Sequence, residues 1–128
     1  MLEYFTTAKT PTTAPIFDGI WRNELNSEME LVATAGKISG KYRTGVGLPT
    51  PTEEFDLIGF YSDDLLSFTV NFGPYGSLTS WVGQHTHAGG TEIIKTLWLL
   101  ARNVQDPDEP TKMWGSILTG SNDFHRVP

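Results

Sequence analysis

The sequence predicts an all-β fold, an eight-stranded antiparallel up-and-down β-barrel, on three observations. Short runs with strand-like character recur from Phe17 onward, each ended by a turn signal. No segment convincingly sustains the apolar periodicity of a long helix. The four tryptophans, Trp21, Trp81, Trp98 and Trp114, each lie in such a run beside small polar residues. That mixture lines a cavity better than it fills a dry core, and it suits a compact ligand with an apolar body and a polar head. Consecutive antiparallel strands can close on themselves, which removes exposed edges, and eight of them leave room for one small ligand.

The elements follow in order. Positions 6–15 are rich in Thr, Pro and Ala, so residues 1–16 are expected to form a flexible N-terminal segment and 17–128 the barrel. Strands are expected at 20–25, 28–34, 37–44, 55–61, 66–72, 78–86, 92–101 and 114–121. Asn26-Ser27 and Ala35-Gly36 are tight hairpin turns, and Ser62-Asp63-Asp64 closes the fourth and fifth strands. Gly73-Pro74-Tyr75-Gly76 cannot continue a strand, because proline lacks a donor and glycine relaxes the backbone. His87-Ala88-Gly89-Gly90 closes the sixth and seventh. Two longer breaks remain, at 45–54 and 103–112; the first is the better candidate for a lid over a site. The seventh run reads as a strand apolar on both faces, with Ile94, Leu97, Leu99 and Val104 as its apolar set, and packing against another subunit is the simplest cover.

Composition narrows the function. A net charge of −6 without a basic cluster opposes nucleic-acid binding. The chain has no cysteine, so disulfides and thiolate-bound metals are excluded. No apolar run approaches the ~20 residues of a membrane helix, and the start of the chain lacks a signal-peptide pattern.

Residues two apart on a strand share a face. Trp21 with Asn23, Ser77 with Thr79 and Trp81, Thr96 with Trp98 and Leu100, and Ser116 with Leu118, Gly120 and Asn122 therefore line up together. Each residue also has a plain reading when taken alone. Trp21 reads as core, Asn23 as a structural hydrogen-bond partner, Ser77 and Thr79 as ordinary strand residues, Tyr42 as a corner anchor, and Trp114 as interface packing. His85 and His87 read as a surface pair rather than a metal site, because no cysteine or well-spaced acid completes a ligand set. The acidic stretch Asp106, Asp108 and Glu109 reads as solvated.

Six stretches, in register, resemble one family. Gly19-Ile20-Trp21 with Asn23, Leu25 and Ser27 is similar to the opening strand of the avidin and streptavidin family. Gly40-Lys41-Tyr42-Arg43-Thr44 with Val46-Gly47 resembles its third strand and lid loop, and Phe68-Thr69-Val70-Asn71-Phe72 its fifth strand. Ser77-Leu78-Thr79-Ser80-Trp81-Val82-Gly83-Gln84 resembles the sixth, and Thr96-Leu97-Trp98-Leu99-Leu100 and Trp114-Gly115-Ser116-Ile117-Leu118-Thr119-Gly120 the last two. The likeness runs from 17 to 127.

This resemblance implies a barrel that binds biotin without catalysis or cofactor, as a homotetramer, in a secreted or periplasmic setting where it sequesters the vitamin. It implies that Asn23, Ser27 and Tyr42 donate to the ureido oxygen, while Thr44 and Asn122 accept from the ureido N–H groups. Family members carry aspartate or asparagine at the Asn122 position; asparagine accepts without charge and so more weakly. Phe72, Trp81 and Trp98 would box the sulfur ring, with Thr79 near the sulfur and Leu25, Val46 and Leu100 among the lining positions. Phe72 stands where members usually carry tryptophan. Ser77 and a backbone N–H near Leu48 would hold the carboxylate, with Leu48 in place of a polar residue. Trp114 would cap a neighbouring subunit's site.

Two other classes compete. A lipocalin-like carrier of another small hydrophobic ligand would share Gly19-Ile20-Trp21, but the chain is short, lacks a closing helix and has a polar inner face. A hydrolase using Ser77, His85 and an acid such as Asp64 lacks the glycine elbow that presents a nucleophilic serine.

Overall fold

A computed structural model describes residues 16–46, 52–103 and 117–128. Its strands are β1 (Gly19–Asn23), β2 (Glu28–Thr34), β3 (Lys37–Arg43), β4 (Phe55–Ser62), β5 (Leu65–Asn71), β6 (Ser77–Ala88), β7 (Thr91–Arg102) and β8 (Ile117–Arg126). Each pairs antiparallel with the next, and β8 returns to β1 through Trp21 opposite Arg126 and Asn23 opposite Phe124, closing the barrel. A single 3-10 turn, Gly73–Tyr75, interrupts the strands among the described residues. Pro74 is tolerated there because the first turn of a helix needs no donor from it.

The two ends of the barrel differ because the turns differ. Ala35-Gly36 and Gly89-Gly90 carry positive φ at both residues (51° and 84°; 58° and 84°). That is the mirror-image turn whose twist matches a hairpin, and glycine adopts it without a Cβ clash. With Asp63-Asp64 these two-residue links gather at one end. The connections after Asn23, Arg43, Asn71 and Arg102 are longer and gather at the other.

The short-turn end is plugged. Phe17, Trp21, Leu31, Leu66, Ile94 and Phe124 are buried there or just above it. The Trp21 indole donates to the Phe17 carbonyl at 2.9 Å. Arg126 lies 4.3 Å above the Trp21 ring, bonds Glu92 through Nε at 2.7 Å, and donates to the carbonyls of Ile16 and Asp18. One guanidinium thus fastens the entering chain to β7 and β8, using several of its five donors.

Four expectations change. Strand eight extends to Arg126, five residues past the expected end, because Phe124 and Asn122 continue its buried alternation. The sixth and seventh strands meet at Gly89-Gly90 alone, so His87 and Ala88 belong to β6. Ile94 is fully buried on the inner face with Thr96, so the exposed apolar residues of β7 are Leu97 and Leu99; Val104 lies outside the described residues. His85 is no surface residue: it is buried, edge-on to Trp21 and Phe17, with Nε2 2.7 Å from Glu92 Oε1. The carboxylate can only accept, so that nitrogen carries the hydrogen.

Candidate functional site

At the long-loop end the inner wall turns polar. Asn23 ends β1, Ser27 precedes β2, Tyr42 lies near the end of β3 and Thr44 just after it, Thr79 and Trp81 lie on β6, and Asn122 on β8; all are buried. Strand alternation sends each inward, and antiparallel order delivers β1, β3, β6 and β8 to one chamber.

Local bonds decide which polar atoms face that chamber. Asn23 Oδ1 accepts the backbone N–H of Leu25 and of Ser27, both at 3.0 Å. Its oxygen is thereby committed to the turn, which leaves the amide nitrogen to donate elsewhere. Ser27 Oγ accepts the Gly45 N–H at 2.9 Å, so the loop after β3 is tied to the turn after β1 and the serine O–H is left to donate on the Tyr42 side. Burial drives the Tyr42 pKa up to about 12, while the Ser27 and Asn23 side chains pull it the other way. Tyr42 therefore remains a protonated donor across the neutral range. Three donors held in place before a ligand arrives suit one electron-rich oxygen.

Acceptors stand opposite. Asn122 Oδ1 receives the Trp81 indole N–H at 3.0 Å and keeps a second lone pair. Thr44 donates to the Val46 carbonyl at 2.9 Å and takes the Val46 N–H at 3.2 Å, which also leaves one lone pair. Thr79 Oγ1 is the buried side-chain polar atom left without a partner among the described residues. An orphaned hydroxyl inside a cavity costs free energy unless a guest satisfies it.

Aromatic rings form the walls. Trp81 stacks on Phe68 at 5.0 Å and leans on Tyr42 at 5.0 Å, and Phe72 meets Phe55 at 4.9 Å and Tyr42 at 6.0 Å. Trp98 is half-buried against Gly120, where an added Cβ would fall 2.4 Å from Trp98 Cζ2. Glycine at 120 is what lets that ring lie against β8. Ser77 and Leu100 are partly exposed at the rim, while Leu25 and Val46 are exposed. Leu48 and Trp114 lie outside the described residues. Glu24 was not legible as part of this chamber: its carboxylate bonds Asn122 Nδ2 at 2.8 Å, yet an acid in a turn carries no periodic signal.

The comparisons agree with this architecture. A family model described as the Avidin family matches residues 11–127. The chain is 31% identical to avidin of Gallus gallus over 119 residues, covering 85% of this chain and 76% of that protein. The crystal structure of Xenavidin superposes with a TM-score of 0.75 at 30% identity, covering 88% of this chain and 97% of that one. The rhizavidin–biotin complex superposes with a TM-score of 0.72 at 22% identity, over 85% and 98% of the two chains, a likeness of fold. Sequence match, closed barrel and chamber together identify the chain as a member of the avidin family.

Proposed function

We propose that the chain binds biotin, without catalysis, in the chamber at the long-loop end of the barrel. The observation that carries this reading is the convergence of Asn23, Ser27 and Tyr42 as donors, each with its competing polarity already engaged or suppressed. A cyclic urea needs that pattern: donors at its oxygen and acceptors at its two N–H groups, here Thr44 and Asn122. Phe72, Trp81 and Trp98 surround the thioether ring, Thr79 offers its hydroxyl toward the sulfur, and Leu25, Val46 and Leu100 flank it. Ser77 and the segment around Leu48 receive the carboxylate. Preorganisation supplies the affinity, since little side-chain freedom is left to lose on binding. The biotin of the rhizavidin complex and the kinship to avidin support the choice of ligand.

The same reading includes a homotetramer in a secreted or periplasmic setting, with Trp114 capping a neighbouring subunit's chamber. The outward side chains of β4 to β7 support association. Ile58, Phe60, Val82, Leu97 and Leu99 are each at least 60% exposed. Cross-strand pairing sets them in rows with Ser67, Thr69 and Ser80 between them, a largely apolar outer face. Calorimetric titration with biotin, followed in parallel by tryptophan fluorescence, tests the whole. One site per chain and quenching of emission are expected; folded protein that takes up no biotin sinks the proposal.

A further inference from the structure

The inner rows of β6 and β7 run side by side to the mouth of the chamber. On β7, Ile94, Thr96, Trp98, Leu100 and Arg102 stand two apart and share a face. Exposure rises along that row, from 0% at Ile94 and 5% at Thr96, through the partly exposed Trp98 and Leu100, to the exposed Arg102. On β6, Trp81 and Thr79 are buried and Ser77 is partly exposed. The register sets Trp81 opposite Trp98, Thr79 opposite Leu100 and Ser77 opposite Arg102. The Asn103 N–H donates to the Gly76 carbonyl at 2.8 Å, which holds the end of β7 against the turn before β6. Arg102 is thus the charged end of the inner row, across from Ser77, with the two side chains starting about 5 Å apart.

The other three arginines each pair with a carboxylate: Arg22 with Glu28, Arg43 with Glu28 and Glu54, and Arg126 with Glu92. Arg102 makes no ion pair or side-chain hydrogen bond among the described residues. Glu53, on the segment entering β4, is engaged instead by the Tyr75 hydroxyl, which lies 2.6 and 2.8 Å from its two oxygens. In a chain with 15 acids and a net charge of −6, Arg102 is left to an anion brought from outside.

We propose that Arg102 is a ligand-binding residue at the mouth of the chamber: its guanidinium pairs with the carboxylate of the bound molecule, beside the Ser77 hydroxyl, and makes the site selective for an acidic tail over a neutral one. The inference rests on the biotin reading, which brings the ligand's carboxylate to Ser77. A guanidinium presents a planar fork that matches both oxygens of a carboxylate, and a serine O–H beside it adds a further donor. The cation also offsets, at the entrance, the repulsion that an acidic chain exerts on an approaching anion.

The probes are biotin and its primary amide, which share the ring system and the chain and differ in the charge of the tail. Association and dissociation rates of each give the ratio of their dissociation constants. The wild type is expected to prefer the acid, and Arg102→Gln to cut that preference about tenfold while it binds the amide as before. Arg102→Lys should regain part of the preference, because the charge returns without the fork. Arg102→Glu should favour the amide. The melting temperature of each ligand-free variant should stay within a degree or two of the wild type, since the side chain bonds nothing in the described residues. A lysine variant no more selective than Arg102→Gln overturns the proposal, as does a wild type that binds acid and amide alike. A marked fall in melting temperature with an unchanged preference places Arg102 in the fold and overturns it too. Wild-type protein that takes up neither probe overturns the biotin reading and this one with it. Uptake of both, with a preference that Arg102→Gln does not alter, overturns this one alone.

Discussion

Asn23 Oδ1 accepts the backbone N–H of Ser27 at 3.0 Å, so one side chain builds the turn after β1 while its amide nitrogen is left to donate. The two tasks use opposite ends of the amide and can be separated. Asn23→Asp retains the acceptor for the turn and removes the donor. The melting temperature of ligand-free protein should change by only a few degrees, while biotin affinity falls about a hundredfold, because the ureido oxygen then faces a carboxylate. Equal losses in melting temperature and affinity would show that Asn23 acts only on the fold.

Tyr42→Phe removes a hydroxyl and keeps the ring that leans on Trp81 at 5.0 Å. Affinity should drop by about 1–3 kcal/mol with the apo fold retained. The tyrosine also makes a stability prediction at high pH. Its folded pKa, about 12, exceeds the ordinary 10.0. The contribution is therefore fully present below pH 10 and is lost as pH rises toward 12, because the unfolded chain releases the proton first. Denaturant titrations from pH 9 to 12 should show a decline that Tyr42→Phe lessens.

Glu92 links β7 to the plugged end. Hydrogen bonds from Arg126 first, then from His85, pull its pKa to about 2 from 4.5, against the opposing effect of burial. A depressed carboxylate stabilises the fold above pH 4.5 and loses that contribution as pH falls toward 2. Glu92→Gln should cost about 1–2 kcal/mol at pH 7, a figure reduced for partial solvent screening, and should flatten acid unfolding in that window. An unaltered acid limb would remove Glu92 from the account of the plug.

Leu97 is among the most exposed apolar side chains of the outer face. Leu97→Lys leaves the inner wall untouched, since strand neighbours alternate sides. Light scattering at low micromolar protein should report a smaller assembly than for the wild type, with each chain still folded. An unchanged mass would move the interface away from β7.

Much of the barrel was legible in the chain itself because strand alternation and turn chemistry are local. Trp21 and Asn23, or Thr79 and Trp81, share a face whatever surrounds them, and Ala35-Gly36 specifies its hairpin by φ alone. Aromatic and hydroxyl residues on one face announced a lined chamber, and the motifs named the family. Closure was different in kind. Whether Ile94 faced in or out, why His85 is buried beside Glu92, and how far β8 runs past Ser121 depend on which strands meet across the seam. Glu24 and Asn122 stand 98 positions apart and touch only because β8 returns to β1. Short-range periodicity encodes sidedness, whereas contacts between distant strands exist only once the cylinder has closed.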